Sequence, residues 1–235
     1  MDGMKIGVIT AMEKERVQVR ALLGSCRDVE QGGRAFCVGR LGEAEVVLVE
    51  SGIGKVNAAL GVAELVRGFA PDAIVSTGVA GGVDASRADV LDVVAASEFV
   101  YHDVDCGDDN LPGQIQGMPP RFKPDARLLA AAREIAADAK VVTGLVATGD
   151  KFVSRPADVE AIRRMFPEVV AVDMESCALA QACHVYGVPF ASFRIVSDVP
   201  GCENHYAKYA DFWKTMADKS FGVIRAYLGQ LAHFA

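Results

Sequence analysis

Short runs of valine, isoleucine, leucine and alanine recur along the chain and are separated by more polar segments that carry glycine. Apolar runs of about four to eight residues are typical of buried β-strands. Several of these runs lack the strict alternation of a strand with one wet face, which favours a sheet covered on both faces. The predicted strands are 5–9, 46–49, 73–76, 90–96, 141–147, 169–172 and 190–196.

Helical patterns lie between the predicted strands, with apolar residues at helical spacing. The predicted helices cover 55–67, 125–138, 156–165 and 206–231. In the first of them, the residues expected to face the core are Val56, Leu60, Ala63 and Val66. Because strands and helices alternate without an internal repeat or a linker-like break, we expect one α/β domain over residues 1–235.

The composition and charge of the chain argue against several classes of function. Of 235 residues, 51% are hydrophobic, which is enough to bury a large core. The 24 Lys and Arg are outnumbered by 31 Asp and Glu, the net charge is -7, and no basic block occurs, so neither nucleic acid nor a membrane surface is an expected partner. No apolar stretch approaches the roughly 20 residues that span a bilayer, and the amino terminus does not match a signal peptide, so we expect a cytoplasmic protein.

Metal and nucleoside triphosphate sites are not predicted. The six cysteines include no CxxC pair, and His and carboxylates are not grouped at the spacing of metal ligands. The turn SGIGK at 51–55 matches neither the GxGxxG of dinucleotide-binding folds nor the GxxxxGK of a P-loop. We therefore expect no metal and no cofactor.

Three glycine-bearing turns follow valine-rich strands: SGIGK at 51–55, TGVAGG at 77–82 and ATGDKF at 147–152. In open α/β sheets, ligands bind beyond the carboxyl ends of strands, and glycine there lets backbone amides approach a ligand closely. Each turn taken alone is also explained by a tight strand-to-helix connection. Taken together, the three turns predict one shared pocket.

Carboxylates stand in apolar surroundings at three strand ends, as Glu13 and Glu15, as Asp173 and Glu175, and as Asp198. Helix capping explains some of these positions, and an Arg–Asp pair is an alternative for the last one. Cleavage of a glycosidic bond needs protonation of the leaving group, activation of water and hydrogen bonds to sugar hydroxyls, which are tasks for acidic side chains. A ribosyl group would suit the three sites.

The segments MKIGVITAMEKE, VESGIGKVNAA, TGVAGG, YHDVD, ATGDKFV, VDMES and RIVSDV occur in this order from Met4 onwards. The ordered set resembles the 5'-methylthioadenosine/S-adenosylhomocysteine nucleosidases of the nucleoside phosphorylase superfamily, as far as about Leu231. The resemblance implies an α/β fold with a mixed central sheet and helices on both faces, a homodimer, and a place in methionine salvage. It also implies hydrolysis of the N-glycosidic bond of adenine nucleosides without a cofactor or metal.

The resemblance implies a role for individual residues. Glu15 matches the base that activates water, and Asp198 matches the acid that protonates the purine, with Ser197 in support. Glu175 and Met174 match the residues that hold the ribose. The remaining matches are Phe152, stacked on adenine, and Val153, in backbone contact with the base, together with Ala80, Gly81, Met12 and Ile53 in the floor and walls and Arg194 near the water and sugar. Asp198 is expected to hold a proton near neutral pH because its apolar strand disfavours the charged form.

Two positions depart from the family pattern. Val79 stands where many members have Ser, so a hydroxyl near the base is absent. The aromatic wall of the pocket for the 5'-substituent falls on either Tyr206 or Tyr209. The preference among 5'-methylthioadenosine, S-adenosylhomocysteine, 5'-deoxyadenosine and aminodeoxyfutalosine therefore stays open at this level.

Two other functions compete with hydrolysis. A purine nucleoside phosphorylase would use phosphate as the nucleophile and would need a basic cradle, for which the first turn offers only Lys14 and Arg16. A non-catalytic nucleoside-binding domain would not need Glu15. The long irregular segment 101–124 is expected to be functional because of its length. The resemblance implies that in a homodimer this segment completes the partner's pocket.

Overall fold

A computed structural model describes residues 3–133, 135, 140–200, 212 and 219–231 of the chain. The strands in this part are β1 Lys5–Thr10, β2 Arg27–Gln31, β3 Arg34–Leu41, β4 Ala44–Glu50, β5 Ala73–Gly82, β6 Val93–Tyr101, β7 Val141–Thr148, β8 Val169–Asp173 and β9 Phe190–Asp198. The helices are α1 Glu13–Arg20, α2 Lys55–Phe69, α3 Ala126–Arg133, α4 Pro156–Met165, α5 Ser176–Tyr186 and α6 Lys219–Leu231. These elements confirm the seven predicted strands, and the predicted helix 156–165 coincides with α4.

All the described strands belong to one mixed sheet in the order β2-β3-β4-β1-β5-β8-β7-β6-β9. Strands β1, β4, β5 and β9 run in one direction, and β6, β7 and β8 run in the other. Because β9 also pairs with β5, the strands from β5 to β9 close on themselves. The predicted α/β fold with a mixed central sheet is confirmed.

Helices cover both faces of the sheet, as expected. On one face, alternate residues of β1 and β4 pack with α1, α3 and α6. On the other face, the remaining residues of these strands pack with α2 and α5. The alternation is visible in β4, where Val46 and Leu48 enter the first cluster and Val47 and Val49 enter the second.

The prediction of the buried face of α2 was wrong. Val56 and Leu60 are 70% and 48% exposed, and the buried residues of the helix are Ala58, Gly61, Val62 and Leu65. The helix carries apolar residues on two sides, and the periodicity alone does not distinguish the side that meets the sheet. The outer apolar side is left open in one copy of the chain.

Two further features differ from the sequence prediction. The hairpin of β2 and β3 was not predicted, because the exposed strand β2 carries only one apolar residue, Val29. The segment TGVAGG at 77–82 was predicted as a turn but belongs to β5, which pairs with β9 as far as Gly81. This glycine-rich end of the strand replaces a loop as the floor of the pocket described below.

Segment 101–124 is largely irregular, as predicted. Within it, Phe122 forms an isolated bridge with Phe99 of β6, while Leu111 is 60% exposed. In the part of the chain that the structure describes, no helix has the length and apolar character needed to cross a membrane. The same part contains no cluster of His, Cys, Asp and Glu arranged to bind a metal ion.

Candidate active site

The topology brings the carboxyl ends of oppositely directed strands together. Strands β5 and β8 are antiparallel and pair only at their final residues, where Gly81 faces Val172 and Gly82 faces Ala171. On the other side of β5, Asp198 lies beside Gly81. The chain that follows β8 therefore meets the ends of β5 and β9, although these strands are far apart in sequence.

A cleft of about 630 Å³, counted with the solvent space at its mouth, opens at this meeting point. Eleven of the twelve predicted site residues line it: Met12, Glu15, Ile53, Ala80, Gly81, Phe152, Val153, Met174, Glu175, Ser197 and Asp198. The twelfth, Arg194, instead borders a smaller cavity behind Glu15. The sequence reasoning did not assign Ala11, Lys151 and Val172 to the site, and they also line the cleft. Val79 and Asp173 line it too; the sequence analysis named Asp173 among the carboxylates but gave it no individual role.

Glu15 is buried at the start of α1, with only 2% of its surface exposed. Its Oε2 accepts hydrogen bonds from the backbone N–H groups of Ala11 and Met12, at 2.9 and 3.0 Å, as in a capping box. Its Oε1 accepts the N–H of Val79 at 2.9 Å. Burial raises the pKa of Glu15, whereas the charge of Arg194 and the three N–H groups oppose the rise. These opposing effects suit a base that works near neutral pH.

Asp198 lies at the last position of β9 and is 3% exposed. The hydroxyl of Ser197 donates a hydrogen bond to Asp198 Oδ1 at 2.6 Å. A β-bulge between Ala80 and Gly81 shifts the pairing register by one residue just where Asp198 is reached. The carboxyl group is thus presented at the cleft at the end of a buried strand.

Glu175 is the N-cap residue of α5, and it is 7% exposed. Its Oε1 accepts the backbone N–H of Gly54 at 2.9 Å, which connects it to the turn between β4 and α2. Burial, followed by the nearby charge of Asp173, raises the pKa of Glu175 to about 7.

Arg194 belongs to a buried polar network beneath the cleft. Its Nε donates to Asp173 Oδ2 at 2.7 Å, and its Nη2 donates to Ser76 Oγ at 3.0 Å. The hydroxyl of Thr148 donates to the other oxygen of Asp173 at 2.5 Å. The structural Arg–Asp pair foreseen for Arg194 therefore exists, but its partner is Asp173 and not Asp198. Arg194 influences the site through its charge on Glu15.

Apolar groups form much of the remaining wall. Phe152 and Ile53 are about half exposed, at 48% and 51%, whereas Val153 and Ala80 are buried. Exposed rings and aliphatic groups at the rim of a cleft are suited to cover a flat heterocycle. Tyr206 and Tyr209, the alternatives for the wall around a 5'-substituent, lie outside the described residues.

The comparisons with known proteins agree with this geometry. Residues 5–229 match the family model described as Phosphorylase superfamily. A 5'-methylthioadenosine/S-adenosylhomocysteine nucleosidase of Geobacillus sp. (strain WCH70) is 41% identical over 232 residues, which cover 97% of this chain and 99% of the relative. The chain belongs to the 5'-methylthioadenosine/S-adenosylhomocysteine nucleosidase family. The family assignment made from the ordered motifs is therefore confirmed.

Solved structures of similar proteins extend the agreement to three dimensions. The nucleosidase from Colwellia psychrerythraea 34H, in complex with adenine, has a TM-score of 0.89 at 41% identity and covers 97% of this chain and 96% of its own. The nucleosidase from Neisseria meningitidis, in complex with methylthio-immucillin-A, has a TM-score of 0.87 at 38% identity and covers 96% of this chain and 98% of its own. Members of this family are N-glycosyl hydrolases.

Proposed function

We propose that the protein hydrolyses the N-glycosidic bond of 5'-methylthioadenosine and S-adenosylhomocysteine, releasing adenine and the 5'-substituted ribose. The observation that carries this proposal is the placement of buried Glu15 and buried Asp198 in one cleft. Backbone N–H groups hold Glu15, and the Ser197 hydroxyl holds Asp198. The pair supplies a base and an acid for cleavage of a glycosidic bond. The names of the relatives support the same substrates.

In the proposed reaction, Glu15 removes a proton from a water molecule whose oxygen bonds to the anomeric carbon. The bond from this carbon to the purine nitrogen breaks, and its electron pair leaves with the purine. Asp198 donates a proton to the imidazole nitrogen of the purine, so adenine departs neutral, and the Ser197 hydroxyl holds the Asp198 carboxyl in position. Glu175 accepts hydrogen bonds from ribose hydroxyls, which strengthen as positive charge develops on the sugar.

The other lining residues bind the substrate in this proposal. Phe152 stacks on adenine and Val153 contacts the base through its backbone, while Ala80 and Gly81 form the floor. Met174 packs on the ribose, and Met12 and Ile53 contact the 5' side. Arg194 contributes its positive charge near the attacking water and remains fixed by Asp173.

Phosphorolysis is the less favoured alternative because the cations near the cleft are already paired. Among the described residues, Lys151 lines the cleft, and its Nζ lies 2.9 Å from Asp158 Oδ1. Arg194 in the cavity behind Glu15 is paired with Asp173 at 2.7 Å. A phosphate dianion needs uncommitted donors or cations, and it would lie beside the carboxylate of Glu15.

Adenine release from 5'-methylthioadenosine, S-adenosylhomocysteine, 5'-deoxyadenosine and aminodeoxyfutalosine, measured side by side, tests the proposal and ranks the substrates. We expect hydrolysis by the wild type in phosphate-free buffer, and a loss of at least about 100-fold in kcat for Glu15→Gln and for Asp198→Asn. Formation of ribose 1-phosphate derivatives would support a phosphorylase. Nucleoside binding without any turnover would support a non-catalytic domain.

We propose in addition that the protein acts as a homodimer. Large aliphatic side chains are exposed on the outer side of α2, in the turn before it and in the loop 101–124, namely Val56 and Leu60, Ile53, and Leu111. Exposed aliphatic groups that lie close to a binding cleft are typical of subunit interfaces. Ile53 belongs to both the cleft and this exposed set, so a second copy would bury part of the rim of the site.

A further inference from the structure

A group of charged side chains beside the cleft has no part in the proposed chemistry. It consists of Lys55 at the start of α2, Asp103 just after β6, and Asp150 in the turn after β7, and we call it the Asp103 cluster. The side chains of Lys55 and Asp103 are partly exposed, at 24% and 27%. Lys55, Asp103 and Asp150 do not line the cleft.

Asp103 joins two segments through one oxygen atom. Its Oδ2 accepts a hydrogen bond from Lys55 Nζ at 2.8 Å and another from the backbone N–H of Asp150 at 2.8 Å. Asp150 completes the connection, because its Oδ1 accepts the backbone N–H of Lys55 at 2.8 Å. Two carboxylates thereby tie the start of α2 to the turn after β7.

One of these two segments contacts a binding residue of the proposed function, and the other carries one. Lys55 follows Gly54, whose N–H donates to Glu175, the proposed ribose ligand, at 2.9 Å. Asp150 lies two residues before Phe152, the proposed adenine-stacking ring. Gly54 has a φ of 97°, and a Cβ there would lie 3.1 Å from Asp150 Oδ1, so the two segments are also in close steric contact.

The surroundings of the cluster hold Asp103 in place. Lys55 Nζ lies 5.4 Å from the centre of the Tyr101 ring, and the Tyr101 hydroxyl donates to Gln181 Oε1 of α5 at 2.7 Å. At Gly149, an added Cβ would lie 2.3 Å from His102 Cε1, so the turn after β7 packs tightly against the residue that precedes Asp103. Asp103 therefore lies between the two segments and accepts a hydrogen bond from each of them.

We propose that Asp103 is a positioning residue for substrate binding. It orients the ribose ligand Glu175 through Lys55 and Gly54, and it orients the adenine-stacking turn through Asp150. This inference rests on the proposed function, because it needs a nucleoside in the cleft. Asp103 touches neither the attacking water nor the purine, so its contribution is to binding in the ground state and the transition state alike.

Kinetics of Asp103→Ala with 5'-methylthioadenosine test the proposal. Loss of contacts that hold the binding residues raises KM, whereas loss of a group in the reaction lowers kcat. We expect KM to rise about 10-fold and kcat to stay within about 3-fold of the wild type. Asp103→Asn keeps an oxygen that accepts both hydrogen bonds, so its KM should lie between those of the wild type and Asp103→Ala.

Asp92→Ala is the matched control. Asp92 precedes the opposite end of β6 and pairs with Lys140 Nζ at 3.1 Å, so the variant also removes one Asp–Lys pair while leaving the cleft untouched. Its KM should equal that of the wild type. A KM for Asp103→Ala equal to that of Asp92→Ala, or a fall in kcat with KM unchanged, would overturn the proposal.

Two further measurements test how Asp103 acts on the site. If Asp103→Ala does not fold, Lys55→Met removes the other partner and should raise KM similarly; an unchanged KM in that variant counts against the role of Asp103. In a double-mutant cycle with Glu175→Gln, non-additive effects on KM support transmission through Glu175, and additive effects contradict it. If the wild type releases no adenine, the proposed function is wrong. If the wild type does release adenine, these measurements test only the role of Asp103.

Discussion

At the scale of single residues, the environment of Glu15 shows how one side chain serves the fold and the proposed reaction. Its hydrogen bonds to Ala11 and Met12 close the first turn of α1, which is the ordinary role of a glutamate near a helix start. The third bond, from Val79, comes from β5 and has no counterpart in the helix. Only this long-range contact places the carboxylate in the cleft.

Gly78 leaves the space that Glu15 occupies. A Cβ at position 78 would lie 2.6 Å from Glu15 Oε1, so Gly78→Ala must displace the carboxylate. Since misplacement of a reacting group by about 1 Å can cost about 100-fold in rate, we expect a loss of kcat of that order. Steady-state measurement of adenine release checks this value.

The control for Gly78→Ala is Gly222→Ala in α6, where a Cβ would meet no atom within 4 Å. That variant should keep its kcat and gain up to about 1 kcal/mol in the free energy of unfolding, because alanine favours a helix over glycine. Equal rates for the two variants would show that Glu15 does not need its observed position.

We expect the ionisation of buried Glu175 to lower the free energy of unfolding. Burial raises its pKa to about 7 from an ordinary value of 4.5, so the folded chain holds the proton more tightly than the unfolded chain. The resulting stability is fully present below about pH 4.5 and is lost as the pH rises through 7. Glu175→Gln cannot ionise and should escape this loss.

Thermal unfolding at pH 5 and pH 8 measures the effect. The difference in Tm between Glu175→Gln and the wild type should be more positive at pH 8, by roughly 2–4 °C for each kcal/mol of ionisation cost removed. The same variant should bind ribose more weakly and show a raised KM. A difference in Tm that is the same at both pH values would mean that Glu175 does not titrate in this range.

At the scale of elements, α2 shows the limit of periodicity. Its apolar residues occupy more than one side, and the sheet selects the side of Ala58, Val62 and Leu65. Leu65 packs directly on β1, where a Cβ on Gly7 would lie 2.5 Å from its Cδ2. Close approach of the helix to the sheet, and not the number of apolar residues, decides which side is buried.

A pair of leucine variants in α2 tests this assignment. Leu65→Ala removes a fully buried side chain and should lower the free energy of unfolding by about 2–5 kcal/mol. Leu60→Ala, at a position that is 48% exposed, should lower it by less than about 1 kcal/mol. Urea denaturation at one protein concentration compares the two variants. A larger loss of unfolding free energy for Leu60→Ala would mean that the side of α2 first predicted is the buried one.

At the scale of the whole molecule, the closure of the sheet creates the cleft. The strand pair β5–β8 overlaps over two residues on each strand, and the pair β5–β9 brings Asp198 to the same point. Carboxyl ends of parallel strands ordinarily collect at one edge of a sheet. Here the carboxyl ends of strands that run in opposite directions meet because the sheet closes, and the polar residues at these ends share one site.

The proposed homodimer is tested by a charge on the outer side of α2. Val56→Glu places a carboxylate at a position that is 70% exposed, and it should convert a dimer to a monomer in light scattering. Val17→Glu, at a valine of α1 that is 49% exposed, is the control and should leave the mass unchanged. A wild-type protein that is monomeric and fully active would remove the dimer from the proposal.

Seven of the strands, the helix that starts at Pro156 and the family motifs could be predicted from the amino-acid sequence. These features depend on local patterns of polarity and on the order of short motifs, which are readable without the fold. The eleven predicted residues that line the cleft followed from the motifs. The hairpin of β2 and β3 escaped prediction because its outer strand lacks an apolar pattern.

Only the tertiary structure decided how these parts meet. It assigned Arg194 to Asp173, placed TGVAGG inside β5, selected the buried side of α2 and connected Asp103 to both binding turns. Each of these outcomes depends on contacts between residues far apart in sequence, and the local pattern of polarity is the same whichever partner is chosen. The amino-acid sequence thus determines which chemical groups the site can contain, and the closed sheet determines which of these groups pair with one another.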